Sequence, residues 1–512
     1  MSKFYITTAI PYCNARPHIG FAMELIQGDV LARYHRMIGD DVYFLNGTDE
    51  HGMKLVQTAR DFGKTPQELA DENSAEYVRL GKFLNISNDN FIRTTDAHHK
   101  RGVQKLWKTL AAADSFYKKT YEGLYCIGCE AYVTEADLIN GNCPNHNKPP
   151  VFFKEENYFF KYSVYLPRVK KLIETGELKI IPEKRKQEML NLINEGIKEG
   201  RDISFSRPSQ TLSWGITVPG DPSQTMYVWP DALSNYMTAL DYEKEAESFK
   251  TFWPADVHLI GKDILRFHAG YWIAMLLAAG IPPPKSIYVH GFITAEGQKM
   301  SKSLGNVVDP FAVGGEHGID ALRYYLLREI PTTDDGDFST ARFAAVYDSE
   351  LANNLGNLVS RVLTMVEKYC GGKVPAVAKE EGVVGEVLKT WKEYQAAVAE
   401  FNLKVAVETI VALLTFANQY IDEKKPWVLA KKEPEAVLGI MYHLLELIRH
   451  ASFMLLPIMP ETAGKIQTAL HVENTKLYPD NIQWGELKEG ITIKKIESLF
   501  PKISIPVGLP RL

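Results

Sequence analysis

Between residue 3 and about residue 115, apolar strand-like runs alternate with amphipathic helical ones, and that rhythm restricts the chain to an α/β architecture. Strand signals fall at 3–10, 41–45 and 91–94, and helical periodicity fills 18–37 and about 65–83. Strands joined through helices pair in parallel, because each helix returns the chain to the same end of the sheet. From 116 to about 225 the rhythm breaks into aromatic residues, clustered cysteines and turn-rich stretches at 147–150 and 219–223. Strand signals return at 257–260 and 287–289, separated by a helical run at 264–279 and a triple-proline stop at 282–284. The sheet is thus predicted in two halves, 1–115 and 226–348, around an insertion at 116–225. Beyond Ser349 the period changes for good: Leu351, Leu355, Leu358 and Val362 recur at three-to-four spacing, similar runs follow from Phe401 and Met441, and 349–512 reads as a helical bundle.

At 512 residues the chain exceeds a single core, and 45% apolar with 24% charged residues lets each part bury one. The longest strongly apolar run, 271–281, is short of the roughly 20 residues that span a bilayer. No basic stretch followed by an apolar signal opens the chain, so a cytosolic protein without a membrane is expected. The net charge of −5 excludes nucleic-acid binding through global charge and leaves only local basic patches for it.

Two short strings suggest where chemistry occurs. Pro17-His18-Ile19-Gly20-Phe21 lies between the first strand and the first helix, where outward-pointing backbone N–H groups attract phosphate. Lys299-Met300-Ser301-Lys302-Ser303 sets two lysines three apart between Gly297 and Gly305, in a segment able to close over a polyphosphate. Together they suggest an ATP site. A third signal is Cys126-x-x-Cys129 followed by Cys143-x-x-His146. Its two hooks make one closed tetrahedral Cys₃His set for a structural Zn²⁺, with no open position for catalysis. Cys13 and Cys370 lie outside it.

The two strings resemble the signature motifs of class I aminoacyl-tRNA synthetases, and their surroundings narrow the resemblance to the methionyl-tRNA synthetase family, bacterial type with a single zinc knuckle. Thr8-Ala9-Ile10-Pro11-Tyr12, Gly47-Thr48-Asp49-Glu50-His51-Gly52, Tyr227-Val228-Trp229-Pro230-Asp231-Ala232, Ile260-Gly261-Lys262-Asp263-Ile264 and His290-Gly291-Phe292 follow in the family's order, so the resemblance covers nearly the whole chain. It implies a Rossmann-like parallel-sheet catalytic domain split by a zinc-binding connective insertion, with a stem-contact region near the lysine loop and an all-α anticodon-binding bundle. It also implies methionine activation by ATP with Mg²⁺, then transfer to tRNA(Met). Many family members carry a further dimerisation module; none is predicted here, and a monomer is expected.

By resemblance, His18, Lys299 and Lys302 act on the phosphates, with Gly20, Gly261, Asp263, His290 and Gly291 around the nucleoside. Asp49 receives the methionine ammonium, Ala9, Ile10 and Tyr12 form one wall, and Trp229, Ala232, Tyr236, Ile264 and His268 form the other. Asn357 and Arg361, four apart on one helix face, and Trp427 read the anticodon. Phe21 departs from the family, where a histidine is usual. Phenylalanine cannot donate to phosphate, so Phe21→His is expected to accelerate pyrophosphate exchange. Cysteinyl and valyl ligases fit less well, lacking respectively the aromatic pocket and the modest insertion. A non-catalytic tRNA-binding paralogue conflicts with the intact Asp49, Asp263 and Lys302.

Overall fold

The computed structural model describes residues 2–128, 131–144, 147–300, 305–472 and 482–502. Cys129, His146 and Lys302 lie outside them. At its centre is a six-stranded, all-parallel sheet. It runs Asn90–Arg93 (β3), Asp41–Thr48 (β2), Lys3–Thr8 (β1), Val257–Gly261, Ser286–His290 and Lys179–Ile181. Side chains alternate between the faces, as the two-residue pleat requires. Phe4, Ile6, Phe44, Leu259 and Tyr288 enter one core, while Tyr5, Leu45, Ile260, Ile287 and Val289 enter the other.

The last strand comes from the segment read as inserted. Helix Tyr162–Thr175, strand Lys179–Ile181 and helix Glu183–Glu199 form a unit that adds itself to the sheet edge beside Ser286–His290. The departure from the sheet is therefore shorter than 116–225 suggested. Strands Phe116–Cys126, Ala131–Val133, Val151–Phe160 and Ile203–Ser204 make a separate antiparallel sheet. Three residues, Lys-Ile-Ile, are too few to show a two-residue period. The run expected as one helix at 264–279 also differs: a 3₁₀ turn, Lys262–Ile264, and a wide π-helical stretch, Phe267–Trp272, precede the α-helix Ile273–Ala279.

Helix α1, Ile19–Met37, is buried on nearly every side through its first three turns. One flank covers β1 and β2, and the other meets helix Ile319–Arg328. That second contact leads without interruption into the long helices Asn357–Cys370, Glu381–Ala399, Leu403–Lys424 and Pro434–Leu455, so sheet and bundle share one hydrophobic core. No helix among the described residues is long and apolar enough to cross a membrane.

Phe21 belongs to this core. Its ring packs edge-on against Tyr77 at 4.9 Å, and only 8% of the residue is exposed. The side chain that replaces the family's histidine thus fills a hole between α1 and helix Pro66–Phe83 instead of facing phosphate. Phe21→His is accordingly expected to lower the thermal midpoint, because it puts a polar ring in place of an apolar one at a buried position. Pyrophosphate exchange per folded molecule should stay unchanged. An acceleration would show that position 21 does reach the phosphates.

Candidate active site

Parallel strands carry ligands at their carboxyl ends, at the point where successive strands run outward in opposite directions. Here that point lies between β1 and Val257–Gly261, and the residues expected in the site leave the sheet around it: Ala9, Ile10 and Tyr12 after β1, Asp49 after β2, Gly261 and Asp263 at and just past the end of Val257–Gly261, and His290 and Gly291 at and just past the end of Ser286–His290. Ala9 N–H donates to the Leu259 carbonyl at 3.0 Å, which draws the two strand ends together.

The first signature string touches the chain just beyond the second here. Ile19 N–H, first in α1, donates to the carbonyl of Val308 at 3.3 Å, a few residues past the lysine string. Met300, within that string, packs on the same core as Ile19 and Phe21. His18 is the helix cap, with extended backbone, and its Nδ1 accepts from Gly20 N–H at 3.1 Å. A Cβ on residue 20 would come within 3.0 Å of that ring, so glycine lets the imidazole fold back. Phe21 N–H donates to the His18 carbonyl at 3.0 Å. The outward-pointing donors expected at this terminus are thus already engaged within the chain. What remains for an anion is the imidazole itself: with Nδ1 accepting, the ring proton sits on Nε2 and can be donated. The ring is solvent-exposed but crowded by protein, which holds its pKa below the ordinary histidine value.

Lys299 is exposed on a small hairpin, Ile293–Ala295 with Gln298–Lys299, that follows directly from His290. Its turn, Glu296-Gly297, has positive φ at both residues, the geometry that matches strand twist. A carboxylate that the sequence reading missed joins the end of β1 to the end of Ser286–His290. Glu24 of α1 accepts from Ala9 N–H at 2.7 Å through one oxygen and contacts His290 Nε2 at 2.9 Å through the other. His290 Nδ1 donates to the Gly291 carbonyl at 2.7 Å. Burial would lower the His290 pKa, but the Glu24 carboxylate outweighs it and raises the value, while burial raises that of Glu24. Gly261 leaves open the space between Asp263 and His290: a Cβ there would lie 2.9 Å from Asp263 Oδ1. Asp263 itself is exposed and caps no helix. At Gly291 a Cβ would strike the Asp334 backbone at 2.2 Å, so close strand–loop approach requires glycine there.

On the other side of the strand ends, aromatic rings converge beside Asp49. Tyr12 bridges to Asp49 as a short parallel pair, Asp49 is 4% exposed, and Tyr12 meets Trp229 edge-on at 6.4 Å. Trp229 stacks on Phe267 at 3.6 Å and meets the His268 ring at 6.4 Å. His268 Nδ1 donates to the Ile264 carbonyl at 3.0 Å, so its Nε2 accepts from the Tyr236 hydroxyl at 2.7 Å. Burial lowers the His268 pKa to about 4, which keeps the ring neutral. Ala232 is buried between them in sequence, and Ile264 is half-buried. Phe267 was missed by sequence reasoning because ordinary core packing explains it equally well.

Behind this wall lies a second missed group. Asp231, 0% exposed, contacts His51 Nδ1 at 2.7 Å and His99 Nε2 at 2.8 Å, and His99 Nδ1 reaches Thr238 Oγ1 at 2.7 Å. His51 stands two residues after Asp49, and Asp231 two after Trp229, so this carboxylate ties the acidic end of the pocket to its aromatic end. Both residues stood within recognised strings, but nothing local indicates that they touch.

Of the zinc set, Cys126 ends the long strand Phe116–Cys126 and is 2% exposed, and Cys143 is 1% exposed. Cys143 opens a tight turn in which Asn147 N–H returns to its carbonyl at 2.8 Å. Cys129 and His146 lie outside the described residues, and among the described residues no complete metal-binding group is present. In the bundle, Asn357 is exposed, Arg361 pairs with Asp422 at 3.1 Å, and Trp427 is 42% exposed near the end of helix Leu403–Lys424.

Burial would raise the Asp231 pKa, but its two imidazole neighbours outweigh that and bring it from 3.8 to about 2. A depressed folded-state pKa contributes stability that is complete above the unfolded value and fades as the pH falls toward the folded one. Asp231→Asn is therefore expected to unfold at lower urea than wild type near pH 7. The gap between the two should narrow as the pH is lowered from 4 toward 2.

Known proteins resemble the chain over nearly all of its length. A family profile described as "tRNA synthetases class I (M)" matches residues 4–149 and 134–363, and one described as "Anticodon binding domain of methionyl tRNA ligase" matches 371–505. The chain is 45% identical to the methionine–tRNA ligase of Clostridium perfringens over 99% of its own length and 79% of that protein's. It is 40% identical to the methionine–tRNA ligase of Brucella suis over 98% of each. It superposes on Mycobacterium tuberculosis methionyl-tRNA synthetase in complex with methionyl-adenylate with a TM-score of 0.93 at 38% identity, covering 98% of this chain and 100% of that one. On two profiles that together span the sheet and the bundle, and on relatives 40% and 45% identical over 98% and 99% of its length, the chain belongs to the methionyl-tRNA synthetase family.

Proposed function

We propose that the chain ligates L-methionine to tRNA(Met) at the expense of ATP, for translation initiation and elongation. The observation that carries this reading is the contact of the α1 start, beside the His18 cap, with Val308 just past the lysine string at the strand ends, with Asp49 and buried aromatic rings alongside.

In the first step a methionine carboxylate oxygen bonds to the α-phosphorus of ATP while the bond to the β-phosphate oxygen breaks, releasing pyrophosphate with its electron pair. The carboxylate is already ionised, so no protein nucleophile is required; alignment and charge stabilisation carry the catalysis. His18 Nε2–H would donate to the phosphates, Lys299 and Lys302 would approach them from the opposite side, and Mg²⁺ would enter with ATP as part of the substrate. Asp263 would accept a ribose hydroxyl, with Gly261, His290 and Gly291 around the base and Gly20 permitting close approach. Asp49 would hold the ammonium, while Ala9, Ile10, Tyr12, Trp229, Ala232, Tyr236, Ile264 and His268 would enclose the thioether. Sulfur–aromatic contacts give about 0.3–1.5 kcal/mol each. In the second step a ribose hydroxyl of the terminal tRNA adenosine attacks the methionyl carbonyl, an ester forms, and AMP leaves.

The zinc reading rests on two buried thiols, Cys126 at the end of a strand and Cys143 at the start of a tight turn. With Cys129 and His146 they would hold one structural Zn²⁺. We place the domain limits at 1–115, 116–225, 226–348 and 349–512, with the connective unit returning one strand to the sheet, and read the enzyme as a cytosolic monomer.

Methionine-dependent ATP–pyrophosphate exchange by the purified protein is the direct test; its absence would remove the ligase reading and favour a tRNA-binding paralogue. Trp427→Ala should abolish most aminoacylation while exchange survives, as expected of an exposed indole that stacks an anticodon base. Equal loss of both would make Trp427 a folding residue. Metal analysis should find about one zinc per chain, and less in Cys126→Ser or Cys143→Ser.

A further inference from the structure

Arg323, on helix Ile319–Arg328, is 0% exposed and makes four hydrogen bonds to three separate stretches of chain. Its guanidinium donates to the carbonyls of Ile458 at 2.8 Å and Pro457 at 2.9 Å, in the turn between bundle helices Pro434–Leu455 and Pro460–Leu470. It donates to the Leu84 carbonyl at 3.0 Å and to Asp29 Oδ2 at 2.8 Å. Asp29 lies on α1, and its other oxygen accepts from Ser87 N–H at 2.7 Å and the Ser87 hydroxyl at 2.6 Å. Arg33 adds a further donor to Asp29 at 2.7 Å. Three residues before Arg323, Asp320 accepts from Thr462 N–H at 2.6 Å, and Arg328 at the helix end pairs with Glu350 and Glu408.

This short helix therefore grips the bundle with one side and α1 with the other. Asp29 stands eleven residues beyond His18, about 17 Å along the helix axis. Because α1 is buried on nearly every side over that distance, it transmits displacement as a rod; packed interiors shift between discrete arrangements and do not stretch. A rotation of the Pro457–Ile458 turn would thus be felt at the His18 cap.

We propose that Arg323 is a positioning residue for the tRNA-dependent half of the reaction: through Asp29 and the Pro457–Ile458 turn it fixes the angle between the anticodon-facing bundle and the helix that carries His18. Adenylate formation needs only the cleft. Transfer needs one tRNA held at the bundle and at the cleft together, so it depends on their relative orientation. Lysine cannot replace the guanidinium, because a compact ammonium has three donors and lacks the planar fork that spans two carbonyls, a third carbonyl and a carboxylate. This inference rests on the ligase reading above.

The test compares two reactions in one variant. Arg323→Lys should leave methionine-dependent pyrophosphate exchange within about twofold of wild type while kcat/KM for tRNA aminoacylation falls about tenfold or more, a coupling of ordinary size for two linked sites. Equal loss of exchange and aminoacylation in folded protein, or unchanged aminoacylation, would overturn the proposal. Should Arg323→Lys fail to fold, Asp320→Ala removes a neighbouring bond at the same junction and is read by the same ratio, with the same two outcomes against it. Failure of the ligase reading is separate, since wild-type protein would then show no exchange.

Discussion

Everything in the catalytic half depends on the parallel pairing of Lys3–Thr8 with Val257–Gly261, in the register Ile6 with Val257 and Thr8 with Leu259. These strands are some 250 residues apart in the chain. Because loop-closure entropy rises only logarithmically with length, so distant a pairing costs little more than a near one. Once it forms, the ends of both strands point the same way, and the segments that leave them are neighbours. Asp49 then lies one strand to one side and His290 one strand to the other, without further adjustment.

Three buried carboxylates of this region each have several donors: Glu24 has Ala9 and His290, Asp231 has His51 and His99, and Asp29 has Arg33, Arg323 and Ser87. A buried charge with one donor removed is costly, so such groups tolerate little change in the spacing of the elements they join. Two of these groups link opposite walls of the cleft, and the third links the cleft's main helix to the bundle. Geometry at the reacting atoms is thus held by contacts several residues behind them.

Much of the fold was legible because it is written in local patterns. The strand–helix alternation before residue 115, the return of strands near 257 and 287, and the change to helical period after 349 all appear in the structure. The cap at His18 and the helix start at Thr65 also fall where turn and cap chemistry put them. What escaped was long-range. Lys179–Ile181 is too short to carry a period, the Glu24–His290 contact joins residues 266 apart, and Asp231 touches His51 across 180 residues. The motif position of Phe21 suggests a role at the phosphates, while its packing on Tyr77, 56 residues on, shows the ring in the core. The donors of the α1 terminus were expected to be open because the Val308 carbonyl is nowhere near them in sequence.

The core shared by sheet and bundle has a thermodynamic corollary. Leu351, Leu355, Leu358 and Val362 do not close a self-contained bundle; they continue the apolar surface that α1 and helix Ile319–Arg328 present. Severed near residue 349, neither fragment could be autonomous, since each would expose to water the apolar face the other now covers, at about 25 cal/mol for every Å² uncovered. The two halves divide the labour of the molecule but not its apolar interior.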